Sequence, residues 1–372
     1  MSTKRSDLIV DFSLTQAQTE LAALSRRILT DRATPDRLTE LERAGLGFDE
    51  ALWADLAGAG VLAAALPDGI GDGYGLAEQC SILIEVGRAV APAPYSESIT
   101  SGASAIARFG TPEQISRYAA TAAAGDLVIT VALAEPSGSA PTVAERSGAG
   151  WRLSGIKAAV AAGACAGVFL VSARTPDGVG VFCVELADQG VTVERQEVVF
   201  GPGAAQLELA SVELGQDRLL GIGDEIAAWL TARATVGLCA LQLGVTERAL
   251  ELTAEYAKTR EQFGRPIGAF QAVAQRLADA YIDVEAIKLT LWQAAWRLEA
   301  GLPSEAEIAT AKFWAAEGGH RVAHTAVHVH GGVGVDVSHP IHRYFAAAKR
   351  GEFALGGATA QLLRLGKVLV AG

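Results

Sequence analysis

The chain has 372 residues, of which 50% are hydrophobic and 20% charged, so it can form two or three packed units and is far from disordered in composition. The formal net charge of −11 argues against a nucleic-acid partner, because the sequence supplies no stripe of basic residues that could bind a phosphate backbone. The four cysteines are far apart and form no CxxC pair, which is typical of reduced, buried thiols in a cytosolic protein.

The N-terminal sequence MSTKRSDLIVDFSLTQ contains Asp7 and Asp11 and has no apolar core long enough for export. We expect no apolar run to reach the roughly 20 residues that a membrane-spanning helix needs. We therefore expect a soluble, cytoplasmic protein without a membrane partner.

Helical periodicity extends to about residue 126. Apolar residues from Leu14 to Ile28 are spaced for one helix face, and the run DEALWADLAGAGVLAAAL after Phe48 predicts a second helix. The segment PDGIGDGYG should form a loop, and a third helix should run from Leu76 until the sequence APAP ends it.

Short, Val-rich runs follow and predict an antiparallel sheet: VITVALAEP, WRLSGIKAAV, GVFLVSAR, GVGVFCVEL, VTVERQEVVF and AAQLELASVEL. From Asp224 three long helical patterns return, and a last helix is expected after Pro340. This order differs from the alternation of a parallel α/β protein. The prediction is a multidomain α+β fold with an N-terminal helical domain (1–126), a middle antiparallel β domain (127–223) and a C-terminal four-helix bundle (224–372).

Several sequence motifs, each at a characteristic place in the chain, resemble motifs of the acyl-CoA dehydrogenase family, and the resemblance covers nearly the whole chain. FSLTQAQTEL, LWADLAGAGVLAAALPDGIGDGYG and EVGRAVAPAP look like its opening helical domain, and ALAEPSGS looks like its first sheet signature. TREQFGRPIGAFQAVAQRLAD and HVHGGVGVDVSHPIHRYF are similar to its C-terminal motifs and are the most specific. The resemblance implies FAD as cofactor, with a carboxylate that removes the α-proton of an acyl-CoA thioester while a β-hydrogen leaves as hydride to the flavin.

The resemblance also implies that the C-terminal domain serves oligomerisation and that one segment holds the ADP half of a neighbouring subunit's FAD. Arg260 would meet the pyrophosphate, since a guanidinium suits phosphate oxygens. The other implied contacts are Gln262 and Phe263 against the dinucleotide and Ile267, Phe270 and Gln271 near its adenosine end. The alternative is a plain helix–turn–helix with a solvated Arg and a core Phe.

In the second C-terminal motif, His328 stands where the family usually has Gln, and it can still donate a hydrogen bond to the cofactor. Gly331 and Gly332 would let the backbone approach the dinucleotide, although a helix cap and turn is the alternative. His320, His324 and His328 share one helix face, but imidazoles without nearby Cys or carboxylates make a poor site, so we expect no metal.

The middle domain departs from the family pattern. Ala134 replaces a Thr that touches the flavin ring, and Ala159 and Ala161 stand at the Trp and Thr positions of a run that lies against the ring. The stacking face and its hydrogen bonds are lost together. The alternative is that other side chains fill these places.

The catalytic base is also missing at both places where family members carry it. Gly357 stands at the usual Glu position, and Ala234 stands near the alternative position on the preceding helix. Glu352 and Glu225 are the nearest acids, and each is several residues away, whereas a proton acceptor must lie within hydrogen-bond reach. We therefore expect no catalytic residue in this chain.

The prediction is a non-catalytic subunit that completes the FAD site of a homologous catalytic chain. The pattern resembles the actinobacterial heteromeric (α2β2) acyl-CoA dehydrogenases of steroid side-chain breakdown, which implies a steroid-CoA substrate bound mainly by the partner and an acceptor of the electron-transfer flavoprotein type. Two alternatives stay open: a self-sufficient homotetrameric dehydrogenase with Glu352 as relocated base, and a flavin-free scaffold protein.

Overall fold

The computed structural model describes residues 12–45, 47–197, 201 and 203–371. Asp7 and Asp11, on which the expectation about export partly rests, lie outside the described residues. So do residues 198–200, the end of the predicted strand VTVERQEVVF.

The N-terminal helices start at the capping residues that the sequence offers. Thr15 accepts a hydrogen bond from the Gln18 backbone while the Gln18 side chain accepts one from the Thr15 backbone, which closes a capping box. Asp49 accepts from the Leu52 backbone in the same way. The helices are α1 Gln16–Arg32, α2 Pro35–Arg43, α3 Glu50–Gly58, α4 Val61–Ala64 and α5 Leu76–Arg88. The three helices expected here are confirmed, with the second split into α3 and α4.

A second group of short helices follows the APAP segment. It contains two π-helical stretches, Ser96–Ala103 and Ile115–Ala119, and the helices α6 Ser104–Phe109, α7 Pro112–Gln114 and α8 Ala120–Ala123. The first π-helical stretch is buried and packs against both the sheet and the longest C-terminal helix. It therefore ties the three parts of the chain together.

The middle of the chain forms a sheet of eight strands: β1 Ile129–Ala132, β2 Val143–Ser147, β3 Gly150–Val160, β4 Val168–Thr175, β5 Gly178–Glu185, β6 Val191–Gln196, β7 Ala204–Leu214 and β8 Leu219–Ile222. The strand order is β6-β7-β3-β2-β4-β5-β8, and β1 pairs with β4 off this path. All six predicted strands form, whereas β2 and β8 were missed. β2 was missed because it is short and three of its five residues, VAERS, are polar.

The sheet is mixed and not purely antiparallel, which corrects one detail of the prediction. β1 pairs with β4 in parallel over Ile129–Ala132 and Val168–Val171, and β2 meets the far end of β4 in parallel at Arg174. The other pairings of the sheet among the described residues are antiparallel. The parallel pairs join strands distant in sequence, so local patterns carry no sign of them.

Five helices and a small hairpin follow the sheet: α9 Asp224–Thr259, β9 Glu261–Gln262, β10 Arg265–Pro266, α10 Gln271–Glu299, α11 Glu305–His330, α12 Ile341–Phe353 and α13 Ala358–Ala371. The three long helices are confirmed. The expected last helix is two, because the chain turns at Leu355 (φ 57°) and Gly356 (φ 91°). α9 packs against α5, α10, α11 and α12, so it is the central helix of the bundle.

Two stretches, Asp224–Thr259 and Ile341–Val370, each contain an 18-residue window that is apolar enough by composition to cross a membrane, with mean hydropathy 1.4 and 1.2. This corrects the expectation that no run reaches that length. Half of the window in α9 is buried inside the protein, and a core helix passes the same test. The second stretch is two helices joined by the turn at residues 354–357.

Candidate functional site

The segment after α9 folds into a two-residue β-hairpin. Arg260 is extended (φ −75°, ψ 119°), and β9 pairs antiparallel with β10 so that Gln262 lies opposite Arg265. The turn residues Phe263 and Gly264 have φ of 55° and 75°. Positive φ at both central residues is the signature of a type I′ hairpin turn, which glycine or asparagine usually provides.

Phe263 occupies an unfavourable position for an aromatic residue. Its φ is positive and its side chain is 92% exposed, with only an edge contact to Phe270 at 6.1 Å between ring centroids. The sequence alternative that made this residue a core Phe is therefore wrong. Backbone strain and an exposed aromatic side chain together indicate a residue that is held in place to meet something outside the chain.

The remaining candidates of the segment lie on the same unit. The Ile267 backbone donates a hydrogen bond to the Arg260 carbonyl (2.8 Å), which closes the base of the hairpin, and Phe270 directly precedes α10. Arg260, Gln262 and Gln271 are exposed. Within the described part of the chain, no acidic group pairs with Arg260, so its guanidinium is available to a ligand.

The second motif lies at the same end of the helical bundle. His328 is exposed on the last turn of α11, and Gly331 ends that helix with φ 62°, a conformation that favours glycine. His330, which follows the histidine row and was not among the predicted site residues, is buried and stacks on Tyr256 of α9 with 4.3 Å between the ring centroids. This stack joins the C-terminal ends of α9 and α11 and brings the glycine turn to the hairpin side of the bundle.

The two glycines have different explanations. The positive φ of Gly331 is enough to explain a glycine at this position, as expected if Gly331 only ends α11. A Cβ added to Gly332 would meet nothing within 4 Å, and its φ is not in the left-handed region, so neither packing nor backbone conformation requires glycine there. The site is open enough for an external group to approach the backbone of Gly332.

The two segments expected at the flavin ring lie side by side. The Ala158 backbone donates to the Ala134 carbonyl (2.9 Å), and Ala159 lies in a β-bulge of β3 with φ 51°. The side chains of Ala134 and Ala159 are exposed methyl groups. At Ala134, Ala159 and Ala161 this surface therefore offers neither an aromatic face nor a hydroxyl group.

An ion pair between a fully buried lysine and a half-buried glutamate holds these segments together. Lys157 is fully buried, and its ammonium group donates to Glu135 (2.5 Å), to Ser172 Oγ (3.1 Å) and to the Leu133 carbonyl (3.2 Å). Burial lowers the pKa of Lys157. Burial raises the pKa of Glu135, but the Lys157 hydrogen bond, the Thr142 backbone and the charge of Lys157 outweigh it, so this pKa lies below normal.

The place of the usual base holds no carboxylate. Gly357 lies just before α13, and a Cβ there would make only an ordinary contact with the Glu352 carbonyl at 3.5 Å. The carboxylate of Glu352 is hydrogen-bonded to Lys349 (2.5 Å) and to His320 Nδ1 (3.1 Å). Burial raises the pKa of Glu352, but these two partners outweigh it and keep the pKa below normal. A paired carboxylate of low pKa is a weak proton acceptor.

The alternative base position, on α9, also lacks a carboxylate. Ala234 lies in α9 beside Arg233, whose guanidinium donates to Gln79 (2.6 Å) and the Thr100 carbonyl (3.0 Å). Burial lowers the pKa of Arg233 to about 10, so it remains a cation at neutral pH. Glu225 is exposed in the first turn of α9, more than two helical turns away.

The family models for the acyl-CoA dehydrogenase N-terminal and C-terminal domains match residues 15–126 and 223–370. Acyl-CoA dehydrogenase FadE27 of Mycobacterium tuberculosis is 47% identical over 369 residues, which cover 97% of this chain and 99% of that protein. The chain belongs to the acyl-CoA dehydrogenase family. FadE28 of the same organism is 33% identical and covers 84% of the chain and 91% of its own length.

Solved structures of this family superpose closely. One chain of the ChsE4–ChsE5 complex from Mycobacterium tuberculosis matches with a TM-score of 0.95 and 48% identity, covering 98% of this chain and 100% of that one. A variant of the Tcur3481–Tcur3483 steroid ACAD matches with a TM-score of 0.90 and 44% identity over 95% of this chain and 98% of that one. The fold class and the resemblance to heteromeric steroid acyl-CoA dehydrogenases are confirmed.

FAD is the cofactor of this acyl-CoA dehydrogenase, as expected. The described residues suit the dinucleotide end of FAD better than they suit its flavin ring. The hairpin and the glycine turn present an unpaired guanidinium, an amide, an exposed ring and open backbone, which suit a dinucleotide. The surface of Ala134, Ala159 and Ala161 does not suit a flavin ring.

The histidine row on α11 has other partners. The rings of His320 and His324 lie 4.2 Å apart, and His324 contacts Phe345. Burial, together with the charges of His320 and Lys349, lowers the pKa of His324. Among the described residues, no group of three or more His, Cys, Asp or Glu is placed to hold a metal ion.

Proposed function

We propose that this chain is the non-catalytic subunit of a heteromeric, FAD-dependent acyl-CoA dehydrogenase and that it completes the FAD site of a homologous catalytic chain. The observation that carries this proposal is the state of the base position. Residue 357 is glycine, and the nearest acid along the chain, Glu352, is held by Lys349 and His320. The hairpin, in contrast, keeps its ligand-facing side chains exposed.

The reaction of the assembled enzyme introduces an α,β double bond into an acyl-CoA thioester. FAD, when bound, supplies the ring that accepts a hydride from the acyl chain. The proton acceptor comes from the partner chain, since this chain holds no free carboxylate at either described base position. The part of this chain is to bind and orient the dinucleotide end through Arg260, Gln262 and Phe263, with His328 and the backbone at Gly331 and Gly332 beside them.

The similar structures support a heteromeric assembly. Both the ChsE4–ChsE5 complex and the Tcur3481–Tcur3483 enzyme are named as pairs of different proteins. An α2β2 arrangement with one catalytic chain in each pair would give half the usual number of FAD sites. We extend the same analogy to the substrate, a steroid with a CoA-thioester side chain, to an acceptor of the electron-transfer flavoprotein type and to a cytoplasmic location.

Glu352 as a relocated base has little support. To accept a proton it would have to give up two hydrogen-bond partners that stabilise its ionised form. The self-sufficient homotetramer is therefore the weaker alternative. The flavin-free scaffold remains distinct, because it predicts that the hairpin contacts no cofactor.

The Arg260→Ala variant tests the proposal in the complex formed with the catalytic partner chain. A charge-assisted hydrogen bond contributes about 1.5–3 kcal/mol, so we expect FAD affinity to fall roughly 10- to 100-fold while the complex stays assembled. Lys258→Ala is the matched control, because Lys258 is exposed two residues away and is paired with Glu255. Equal flavin content and equal FAD affinity in the Arg260→Ala and wild-type complexes would favour the scaffold and contradict the proposal.

A further inference from the structure

The register of the hairpin adds a residue to the predicted FAD contacts. Arg265 of β10 lies directly opposite Gln262 of β9. Directly opposed residues of an antiparallel pair project to the same face, with Cβ atoms about 4.5–5.5 Å apart. A ligand that contacts the side chain of Gln262 is therefore within reach of the side chain of Arg265.

Arg260 joins the same face. It is in extended conformation, and residues two apart along an extended chain project to the same side. Glu261 and Pro266 form the opposing pair on the other side. One face of this hairpin therefore carries two guanidinium groups and an amide, and its only acidic side chain, Glu261, projects away from them.

A contact with Phe270 holds Arg265 in position. The guanidinium carbon lies 4.3 Å from the centroid of the Phe270 ring, and that ring meets the edge of Phe263. A guanidinium that stacks on a ring uses its flat face for the cation–π contact, while its N–H groups point outward in the plane and can still donate hydrogen bonds. Across the described ranges, no carboxylate lies within ion-pair distance of Arg265, so these donors have no acidic partner.

We propose that Arg265 binds the FAD pyrophosphate together with Arg260, so that two guanidinium groups meet a diphosphate with a negative charge on each phosphate. This inference rests on the proposed function, because the FAD is that of the partner chain. Phe270 acts as the platform that fixes the Arg265 fork before the cofactor arrives, which lowers the entropy cost of binding. The phosphates of an acyl-CoA have similar chemistry, and the experiment separates the two sources.

The test uses the full hetero-oligomer with its flavin removed and titrates FAD by flavin fluorescence at several KCl concentrations. Arg265→Met should raise the FAD dissociation constant about tenfold or more and flatten its dependence on salt. Arg265→Lys should restore part of the affinity, since it keeps the charge and loses the planar fork. Arg276→Met is the control, because it removes the same charge from the exposed surface of α10 nearby.

Three results would overturn the inference: an unchanged dissociation constant in Arg265→Met, an equal loss in Arg276→Met, or a raised KM for acyl-CoA with unchanged FAD affinity. The last result would assign Arg265 to the CoA phosphates. If Arg260→Ala weakens FAD binding and Arg265→Met does not, only this inference fails. If neither variant changes FAD binding, the proposed function fails with it.

Discussion

The hairpin at residues 260–266 and the bulged surface around Ala134 and Ala159 are both unusual pieces of backbone, but they differ in what they present. The hairpin places an aromatic residue at positive φ and surrounds it with exposed cations and amides. The bulge also has a residue at positive φ, Ala159, but presents methyl groups at Ala134 and Ala159, and the Gln196 side chain accepts a hydrogen bond from the Ala159 backbone. The backbone of the family thus persists although alanine occupies these positions, so similarity of fold reports architecture and not activity.

The largest expected effect comes from breaking the Lys157–Glu135 ion pair, which holds together the segments that carry Ala134 and Ala159. Glu135→Ala leaves the ammonium of Lys157 buried without its counter-charge, and breaking a buried pair costs about 3–5 kcal/mol. We expect the free energy of unfolding to fall by that amount in denaturant titration. Glu213→Ala is the matched control, since Glu213 forms an exposed pair with Arg152 in the same sheet and should show no measurable change.

The same variant has a predicted pH dependence. The pKa of Glu135 is lowered in the folded state, so its contribution is present above its ordinary value of 4.5 and is lost as pH falls through the folded-state pKa. The stability gap between the wild type and Glu135→Ala should therefore narrow below pH 4.5. A constant gap across that range would show that the pair does not stabilise the ionised carboxylate.

Gly332→Ala tests the glycine turn, which lies at the same end of the helical bundle as the hairpin. Because a Cβ there meets nothing in the chain, the variant should fold with unchanged stability but bind FAD more weakly in the complex, by about tenfold or ~1.4 kcal/mol. Gly331→Ala should instead destabilise the chain by about 1–2 kcal/mol, because alanine is strained at φ 62°. Thermal unfolding and FAD titration separate the two effects, and equal FAD affinity in Gly332→Ala would contradict a backbone approach.

Much of the fold and part of the site were predictable from the sequence. Long apolar periodicity located α9, α10 and α11, and the motifs around Arg260 and Gly331 pointed to two segments that are exposed at one end of the helical bundle, whose role as an FAD site stays a prediction. The sequence did not show the positive φ at Phe263, because an aromatic residue carries no sign of a type I′ turn. The Lys349–Glu352 pair has i,i+3 spacing within α12 and could be suspected from the sequence, but the contact of His320 with Glu352 depends on how α11 packs on α12.

Glu352→Gln carries the smallest expected effect. If Glu352 only joins Lys349 and His320, the hetero-oligomer should keep its turnover within about twofold, measured as acyl-CoA-dependent reduction of the flavin. Removal of a general base typically costs 10²–10⁴-fold. A loss of that size would identify Glu352 as the base and restore the self-sufficient alternative.

The most direct test of the central claim is the ratio of bound FAD to protein chains. The chain should be expressed alone and together with its partner, with flavin measured by absorbance and chains counted from the subunit ratio. The account predicts no stoichiometric FAD on the chain alone and one FAD for each pair of different chains in the complex. A homo-oligomer of this chain alone, with one FAD per chain, would contradict it.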